Sequence, residues 1–337
     1  MKRMIAAIGV LLMALMLAGC APEEVLPEGG EPGYASCAID LATDGQRVFL
    51  LRRGKTLPEW SSTYTAYEVT GGAMRRITGG RNADDLAVAD GTLYIASHTE
   101  DWLKPVQISA EIDGYDAATG ARVLHVSRRD EKNVNPDRYA FHLAGEHVIQ
   151  QRWNYSVQDG HRLEFAIVDA QGVTGAAFHE RGWESSLVMD TYIASAEYDD
   201  TEVCILDLAS MQTYTLPLTW QATGRDVDGH GPSWPQGVLM AGCLYTCAED
   251  GVHACDLATG QDSLFAPVTA PEYFYVTGGR LYTVADDGFL TAFDLATGEA
   301  APTGVALTKA DRYVVAGEHV YILQDGGCRI ALLTEVE

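Results

Sequence analysis

One short motif recurs along this chain and constrains the fold more than any other feature of the sequence. Asp-x-x-Thr-Gly occurs at Asp116, Asp256 and Asp294, and each copy follows a glycine turn and a Leu-Tyr pair. Four weaker copies bring the count to seven units. The 302 residues from Ser36 to Glu337 then provide about 43 residues for each unit, the length of a four-stranded propeller blade. We therefore predict an all-β fold, a single β-propeller of seven four-stranded blades, with eight blades as the alternative.

An acidic residue begins the second hairpin turn of most units. Its positions are Glu68, Asp116, Asp169, Asp207, Asp256 and Asp294. A carboxylate at this point can accept hydrogen bonds from main-chain amides two residues on, and a glycine supplies the positive φ that closes a short hairpin. Gly120, Gly260 and Gly298 are the glycines predicted to have that φ. Aromatic and β-branched strand residues are expected to fill the interfaces between blades.

The N-terminus indicates where the chain resides. Two basic residues precede an apolar run that is too short to span a bilayer, and the run ends in Leu17-Ala18-Gly19-Cys20. The segment resembles a bacterial lipoprotein signal with its lipobox, which implies cleavage before Cys20 and acylation of that cysteine. An ordinary signal peptide with an incidental cysteine is the alternative. We predict a signal peptide at 1–19, lipidated Cys20 with a flexible tether at 20–35, and the propeller domain at 36–337.

The charge of the chain excludes one class of partner. After removal of residues 1–19 the chain has 21 Lys and Arg against 47 Asp and Glu, a net charge of −26. Such an acidic protein should not track the phosphates of nucleic acid. We expect it in the cell envelope, held by lipid on the extracytoplasmic side of a bacterial membrane. The sequence does not decide its oligomeric state.

Two copies of the repeat resemble a known propeller motif. Residues 254–260 (ACDLATG) and 292–298 (AFDLATG) have the A-x-D-x-x-T-G core of the quinoprotein-like (PQQ-like) repeat. The chain is also similar, in anchor and repeat, to the propeller lipoproteins of the outer-membrane β-barrel assembly machinery. In quinoprotein dehydrogenases a docking tryptophan lies four residues after the glycine, where this chain has Leu124, Leu264 and Pro302. We therefore predict no PQQ and no other cofactor.

Blade topology predicts two unlike faces. With strands A to D running outward, the A–B and C–D turns open on one face, whereas the B–C hairpins and the D–A crossings between blades open on the other. The long segments are all B–C or D–A: 52–62, 98–110, 128–138, 152–161, 179–186 and 219–236. They contain the aromatic residues Trp60, Trp102, Trp153, Tyr155, Trp183, Trp220 and Trp234. Aromatic loops on a rigid scaffold are typical of a recognition surface. Alternatively, the tryptophans hold the long loops to one another.

One segment of that face has unusual composition. Asp226, Asp228 and His230 alternate within residues 225–237, RDVDGHGPSWPQG. They could bind a metal or act as acid and base, but a calcium loop needs more oxygen ligands than Asp-x-Asp-Gly provides. A solvated loop explains the same residues. We include the three residues in the candidate binding face and predict no metal site.

Six cysteines remain once Cys20 is assigned to lipid: Cys37, Cys204, Cys243, Cys247, Cys255 and Cys328. They allow up to three disulfides in fifteen arrangements. If the hairpin of unit five turns at Asp250, three of them share one face, and a zinc site completed by His253 is conceivable. The alternative is that strand cysteines are small buried hydrophobic residues.

Two classes of function are consistent with these features. The first is a non-catalytic scaffold that binds another envelope protein or a surface glycan through the aromatic loops. The second is an extracytoplasmic enzyme, a carbohydrate lyase or hydrolase, with its site on the same face. The sequence contains no recognised catalytic spacing, which favours the first class, and no catalytic residue is predicted.

Overall fold

The computed structural model describes residues 23–25, 37–55, 62–70, 73–100, 107–129, 138–144, 147–154, 162–169, 172–173, 178–181, 186–188, 192–195, 202–207, 210, 212–217, 237–324 and 327–333. Every regular element within these residues is a β-strand, as the repeat predicts. Among them there is no helix with the length and hydropathy needed to span a bilayer.

The strands form seven antiparallel sheets, which we number as blades in chain order. The first strand, β1 (Glu23–Val25), belongs to the last blade. Blade 1 contains β2 (Cys37–Thr43), β3 (Val48–Lys55), β4 (Ser62–Thr70) and β5 (Ala73–Arg81). Blade 2 contains β6 (Ala83–Ala89), β7 (Thr92–Glu100), β8 (Gln107–Asp116) and β9 (Arg122–Arg129). Blade 3 contains β10 (Arg138–Ala144), β11 (His147–Asn154), β12 (Arg162–Asp169), β13 (Gly172–Val173) and β14 (Phe178–Arg181).

The remaining blades follow the same plan. Blade 4 contains β15 (Ser186–Val188), β16 (Tyr192–Ser195), β17 (Glu202–Asp207) and β18 (Thr213–Pro217). Blade 5 contains β19 (Gly237–Met240), β20 (Cys243–Ala248), β21 (Gly251–Asp256) and β22 (Gln261–Ala266). Blade 6 contains β23 (Phe274–Thr277), β24 (Arg280–Val284), β25 (Phe289–Asp294) and β26 (Ala300–Ala306). Blade 7 contains β27 (Arg312–Ala316), β28 (His319–Gln324), β29 (Gly327–Leu332) and β1.

Hydrophobic clusters between neighbouring blades build the ring. Phe49 of blade 1 and Leu93 of blade 2 are fully buried in one of them, and similar clusters join blades 2 and 3, 4 and 5, 5 and 6, and 6 and 7. A further cluster packs Leu50 of blade 1 against Tyr321 and Ile330 of blade 7. This contact between the first and last blades closes the ring. The structure is therefore a β-propeller whose described residues form seven blades, the number that the repeat predicts.

The N-terminal strand completes the last blade. β1 pairs antiparallel with β29, with Glu23 opposite Ile330 and Val25 opposite Cys328. These residues lie within the predicted tether, so part of that segment is in a sheet. Blade 7 has only three strands from the C-terminal end of the chain, and β1 covers the edge that they would leave unpaired.

The Asp-x-x-Thr-Gly turns have the predicted chemistry. The backbone N–H and the hydroxyl of Thr119 both donate to Asp116 Oδ1 at 2.7 Å, and Thr259 does the same to Asp256 at 2.8 Å. The amide used in these two turns is three residues on, whereas Asp294 accepts hydrogen bonds from the amides of both Ala296 and Thr297, two and three residues on, at 3.0 and 2.8 Å. Gly120, Gly260 and Gly298 have φ of +75°, +67° and +73°, which confirms the prediction.

Glu68 departs from the turn pattern. It lies inside β4 and accepts a hydrogen bond from Arg75 Nε at 2.8 Å across the hairpin. The hairpin of blade 1 is longer than the others because β4 and β5 continue their pairing as far as Thr70 and Ala73. The acidic position of this unit therefore forms a cross-strand ion pair instead of a turn.

Candidate functional site

Hydrogen bonds between turns define one face of the ring, which we call the short-turn face. In blade 2 the N–H of Ala117, in the C–D turn, donates to the carbonyl of Gly91, in the A–B turn, at 2.9 Å. Blades 5 and 6 repeat this bond at 3.0 and 2.9 Å, and in blade 7 Leu333 donates to Glu318 at 2.7 Å. The A–B and C–D turns therefore lie together, as the predicted topology requires.

The B–C and D–A connections lie together on the opposite face, which we call the long-connection face. Asp286, in the B–C turn of blade 6, accepts a hydrogen bond from Thr269 Oγ1 at 2.9 Å and pairs with Lys309 Nζ at 2.9 Å. Thr269 and Lys309 belong to the D–A connections on either side of blade 6. The strand order also assigns each of the six predicted long segments to a B–C or D–A position.

Most residues of the predicted binding face lie outside the described residues. These are Trp60, Trp102, Tyr155, Trp183, Trp220, Trp234, Asp226, Asp228 and His230. Trp153 lies in strand β11, opposite Arg138 and Leu163, rather than in the loop where the sequence analysis placed it. The reason is that β11 and β12 remain paired as far as Asn154 and Arg162. Trp153 is therefore at the end of a strand next to the long connection.

A carboxyl pair joins the innermost strands of blades 1 and 2. Asp40 in β2 and Asp85 in β6 occupy equivalent positions, each just after a register shift in its strand and each followed by Leu-Ala. The N–H of Leu86 donates to Asp85 Oδ1 at 2.9 Å and to Asp40 Oδ2 at 3.1 Å, so one amide contacts both carboxyl groups. The two side chains are also hydrogen-bonded to each other, which requires a proton between them.

Protonation of this pair follows from its surroundings. Burial is the largest cause that raises the pKa of Asp40 to about 8, and the charge of Asp85 acts in the same direction. The N–H groups of Leu41 and Leu86 oppose the shift. The protonated form of Asp40 is therefore favoured at neutral pH, as two carboxyl groups in close contact cannot both ionise easily.

Sequence reasoning did not find this pair. The acidic turn positions identified in the sequence include neither residue, and Asp85 lies within β6. The signal that was available is an Asp-Leu-Ala shortly before the Asp-Gly of an A–B turn, which occurs at Asp40 and again at Asp85 in two consecutive units. Only the packing of β2 against β6 shows that the two side chains meet.

Other charged groups lie close to the inner strands. Arg53, two residues after Leu51, the partner of Asp40 on β3, donates to the carbonyl of Ala83 at 3.1 Å. At the start of β27 the Arg312 guanidinium lies 4.7 Å from the centre of the Tyr273 ring, a cation–π contact. In the described part of the chain, no group of three or more His, Cys, Asp and Glu side chains is placed to bind a metal ion.

The cysteines of blade 5 do not form the conceivable zinc site. Cys247 pairs with Val252 and Leu244 with Cys255, so the hairpin turns between Ala248 and Gly251. This register is one residue away from a turn at Asp250, and a shift of one residue moves a side chain to the other face of a sheet. Cys255 consequently faces blade 4, whereas Cys247 faces blade 6.

The thiols of these residues are buried in the sheet. Burial raises the pKa of Cys247 and of Cys255 to about 12, so both are neutral thiols in this structure. Cys243, Cys247, Cys255 and Cys328 are all unpaired thiols, which leaves too few cysteines for three disulfides. The interpretation as small buried hydrophobic residues fits Cys247, Cys255 and Cys328.

His253 takes part in a different cluster on blade 5. Its Nδ1 lies 2.8 Å from Asp262 Oδ2 and its Nε2 lies 2.9 Å from Asp250 Oδ1. Burial disfavours the protonated ring, but the hydrogen bonds to Asp262 and Asp250 outweigh it and raise the pKa of His253. Through hydrogen bonds at both ring nitrogens, His253 links the B–C turn of blade 5 to its outermost strand.

Comparisons with known proteins show similarity of fold alone. No protein-family model and no curated protein matches the chain. A chain of the mitotic checkpoint complex superposes with a TM-score of 0.52 at 11% identity, over 93% of this chain and 97% of that one. Acylaminoacyl peptidase from Pyrococcus horikoshii gives 0.51 at 11% identity, over 89% of this chain and 53% of that one. BamB from Moraxella catarrhalis gives 0.43 at 13% identity, over 93% of this chain and 92% of that one. With its seven sheets in a closed ring, the chain is a β-propeller protein.

Proposed function

We propose that this chain is a lipid-anchored lipoprotein of the bacterial envelope, and that it acts as a non-catalytic scaffold which binds another envelope protein through its long-connection face. The observation that carries the proposal is the difference between the two faces of the ring. The A–B turns that the structure describes in blades 2, 5, 6 and 7 are short, whereas the long segments with all six tryptophans are B–C and D–A connections or border them.

The ring provides the rigidity that such a surface needs. Packed blade interfaces and the closure between blades 1 and 7 fix the ends of each long connection. Loops held at fixed ends by a rigid scaffold lose less conformational freedom on binding, and aromatic side chains are the usual anchors of protein interfaces. A solved chain with a similar fold belongs to a complex of proteins, the mitotic checkpoint complex.

The proposal predicts a selective loss of binding. Single replacements of the six tryptophans by alanine should weaken retention of the partner by at least about 1 kcal/mol, roughly fivefold, at the most central positions. The melting temperature should change little at those positions. The measurement is a pull-down of envelope proteins on the lipidated wild type, followed by titration of the retained protein against each variant.

A replacement on the rim provides the control. Val123 is 58% exposed near the start of β9, next to the C–D turn of blade 2 on the short-turn face, so Val123→Ala should change neither binding nor the melting temperature. If all six tryptophan variants lose stability and none loses binding selectively, the tryptophans only hold the loops together and the proposed binding face is wrong.

The lipid anchor has its own test. Cys20→Ser should abolish incorporation of a labelled fatty acid, because the thiol of Cys20 is the predicted acylation site. The variant should also leave the membrane fraction. Cys37→Ser is the matched control and should incorporate the label at the wild-type level. Equal labelling of the Cys20→Ser protein would contradict the anchor.

A further inference from the structure

The direction of β1 determines the face from which the N-terminal segment enters the ring. β29 begins at Gly327, which pairs with Gln324 at the B–C end of blade 7, and it ends next to Leu333, which bonds to Glu318 on the short-turn face. Ile330 is thus nearer to the short-turn face than Cys328 is. Because Glu23 pairs with Ile330 and Val25 with Cys328, the chain enters β1 from the short-turn face.

The length of chain before β1 limits how far the anchor can be from that entry point. Cys20 precedes Glu23 by three residues, which span at most about 10 Å when fully extended. A strand of six residues such as β28 is about 20 Å long. Ile330 is the fourth of the six residues of β29, so about 10 Å of strand separates Glu23 from the long-connection end of blade 7. The chain before Glu23 comes from the side of the short-turn face, so it would have to reverse direction to approach the opposite face. Three residues that reverse direction span less than about 10 Å and cannot bring Cys20 to the long-connection face.

The other groups at the short-turn face do not favour another orientation. The carboxylates of Asp116, Asp256 and Asp294 face outward but accept hydrogen bonds from their own turns. Anionic lipid would repel these carboxylates and attract the guanidinium groups of Arg47, Arg75 and Arg122 at neighbouring turns, so these charges do not decide the orientation and attachment depends on the acyl chains. The restriction on orientation comes from the short connection alone.

We propose that the anchored protein sits with its short-turn face toward the membrane and presents its long-connection face away from it. This inference rests on the proposed lipid anchor at Cys20. It adds that β1 fixes the orientation of the ring, since the anchor leads directly into a paired strand rather than into a long flexible linker. A partner that binds the long connections would then be engaged at the side of the ring away from the lipid.

Two exposed alanines on opposite faces provide the test. Ala296 lies in the C–D turn of blade 6, and Ala310 lies in the D–A connection between blades 6 and 7. Each is replaced by p-azidophenylalanine in the lipidated protein and coupled to a dye. The protein is bound to phosphatidylethanolamine–phosphatidylglycerol vesicles that contain a phospholipid with a spin-labelled headgroup, which quenches nearby dyes. We expect at least twofold stronger quenching at position 296 than at position 310.

A linker variant shows whether β1 is responsible. Insertion of 20 Gly and Ser residues after Pro22 adds a coil of about 25 Å between the anchor and β1, so the difference in quenching should largely disappear. Equal quenching at both positions without the linker, or stronger quenching at 310, overturns the orientation. Vesicle sedimentation separates the two proposals. If the expressed wild-type protein carries no acyl chain and stays in the supernatant, the anchor and the orientation are both overturned. If it sediments with the vesicles but shows the wrong quenching, only the orientation is overturned.

Discussion

Raising the pH from 5 to 8.5 is expected to destabilise the fold, and Asp40→Asn is expected to remove a large part of that loss. The pKa of Asp40 is raised from 3.8 to about 8 in the fold, so the folded chain keeps a proton that the unfolded chain releases above about pH 4. The free energy of unfolding therefore falls as the pH rises through this window. The fall is at most about 1.4 kcal/mol for each pH unit.

Urea denaturation at several pH values measures this effect. Asn at position 40 resembles the protonated carboxyl in shape and has no charge to lose, so the variant should be more stable than the wild type at pH 8.5. Asp287, an exposed residue in a B–C turn, provides the control, and Asp287→Asn should follow the wild type. Parallel curves for the wild type and Asp40→Asn would mean that Asp40 is already ionised in the fold.

His253 contributes a smaller fall in the free energy of unfolding as the pH rises. Its pKa is raised in the fold, so the stability gained from its bonds to Asp262 and Asp250 is complete below about pH 6.5. That contribution disappears as the pH rises through the raised pKa. For this reason the Asp40→Asn variant has to be compared with the wild type at each pH, since the pH dependence of the wild type alone combines both groups.

Valine at the turn glycines is expected to destabilise the fold to a different extent at two equivalent positions. Gly260 has φ of +67° and open space where a Cβ would lie, so Gly260→Val should cost only the backbone strain, about 1–3 kcal/mol. Gly298→Val should behave alike. Gly120 has a similar φ, but a Cβ there would lie 3.0 Å from the carbonyl oxygen of Ile77 in blade 1. Gly120→Val should therefore cost more than either.

Thermal and urea denaturation of the wild type, the three glycine variants and one control variant test these predictions. Ala258→Val is a suitable control because Ala258 is exposed in the same turn as Gly260 and is not among the residues with positive φ. The unfolding midpoint of this variant should be close to that of the wild type. An unchanged midpoint for both Gly260→Val and Gly298→Val would contradict the turn geometry, and a loss at Gly120 no larger than at Gly260 would contradict the contact with blade 1.

The features that the sequence predicted well depend on neighbours along the chain. The Asp-x-x-Thr-Gly turn is closed by bonds within four residues, as between Asp116 and Thr119, so its residues can be recognised without knowledge of the fold. The blade count follows from the number of such units, because each repeat forms one sheet. The assignment of the long segments to B–C and D–A positions follows from the same alternation of strands and turns.

Register and long-range pairing were harder to predict. The register of the hairpin in blade 5 differs by one residue from the register that a zinc site would need. Because side chains alternate between the faces of a strand, Cys247 and Cys255 lie on opposite faces of the sheet. Trp153 was assigned to a loop because the sequence does not show how far two strands stay paired.

The all-β class, the seven repeated units and the positive φ of the turn glycines could be predicted because each is recorded in residues close together in the chain. The pairing of β1 with blade 7 and the contact of Asp40 with Asp85 through the Leu86 amide were visible only in the folded ring. Glu23 is 307 positions from Ile330, its partner, and Asp40 is 45 positions from Asp85. Contacts over such separations arise when the ring closes and its blades pack, and neither event leaves a local pattern in the sequence.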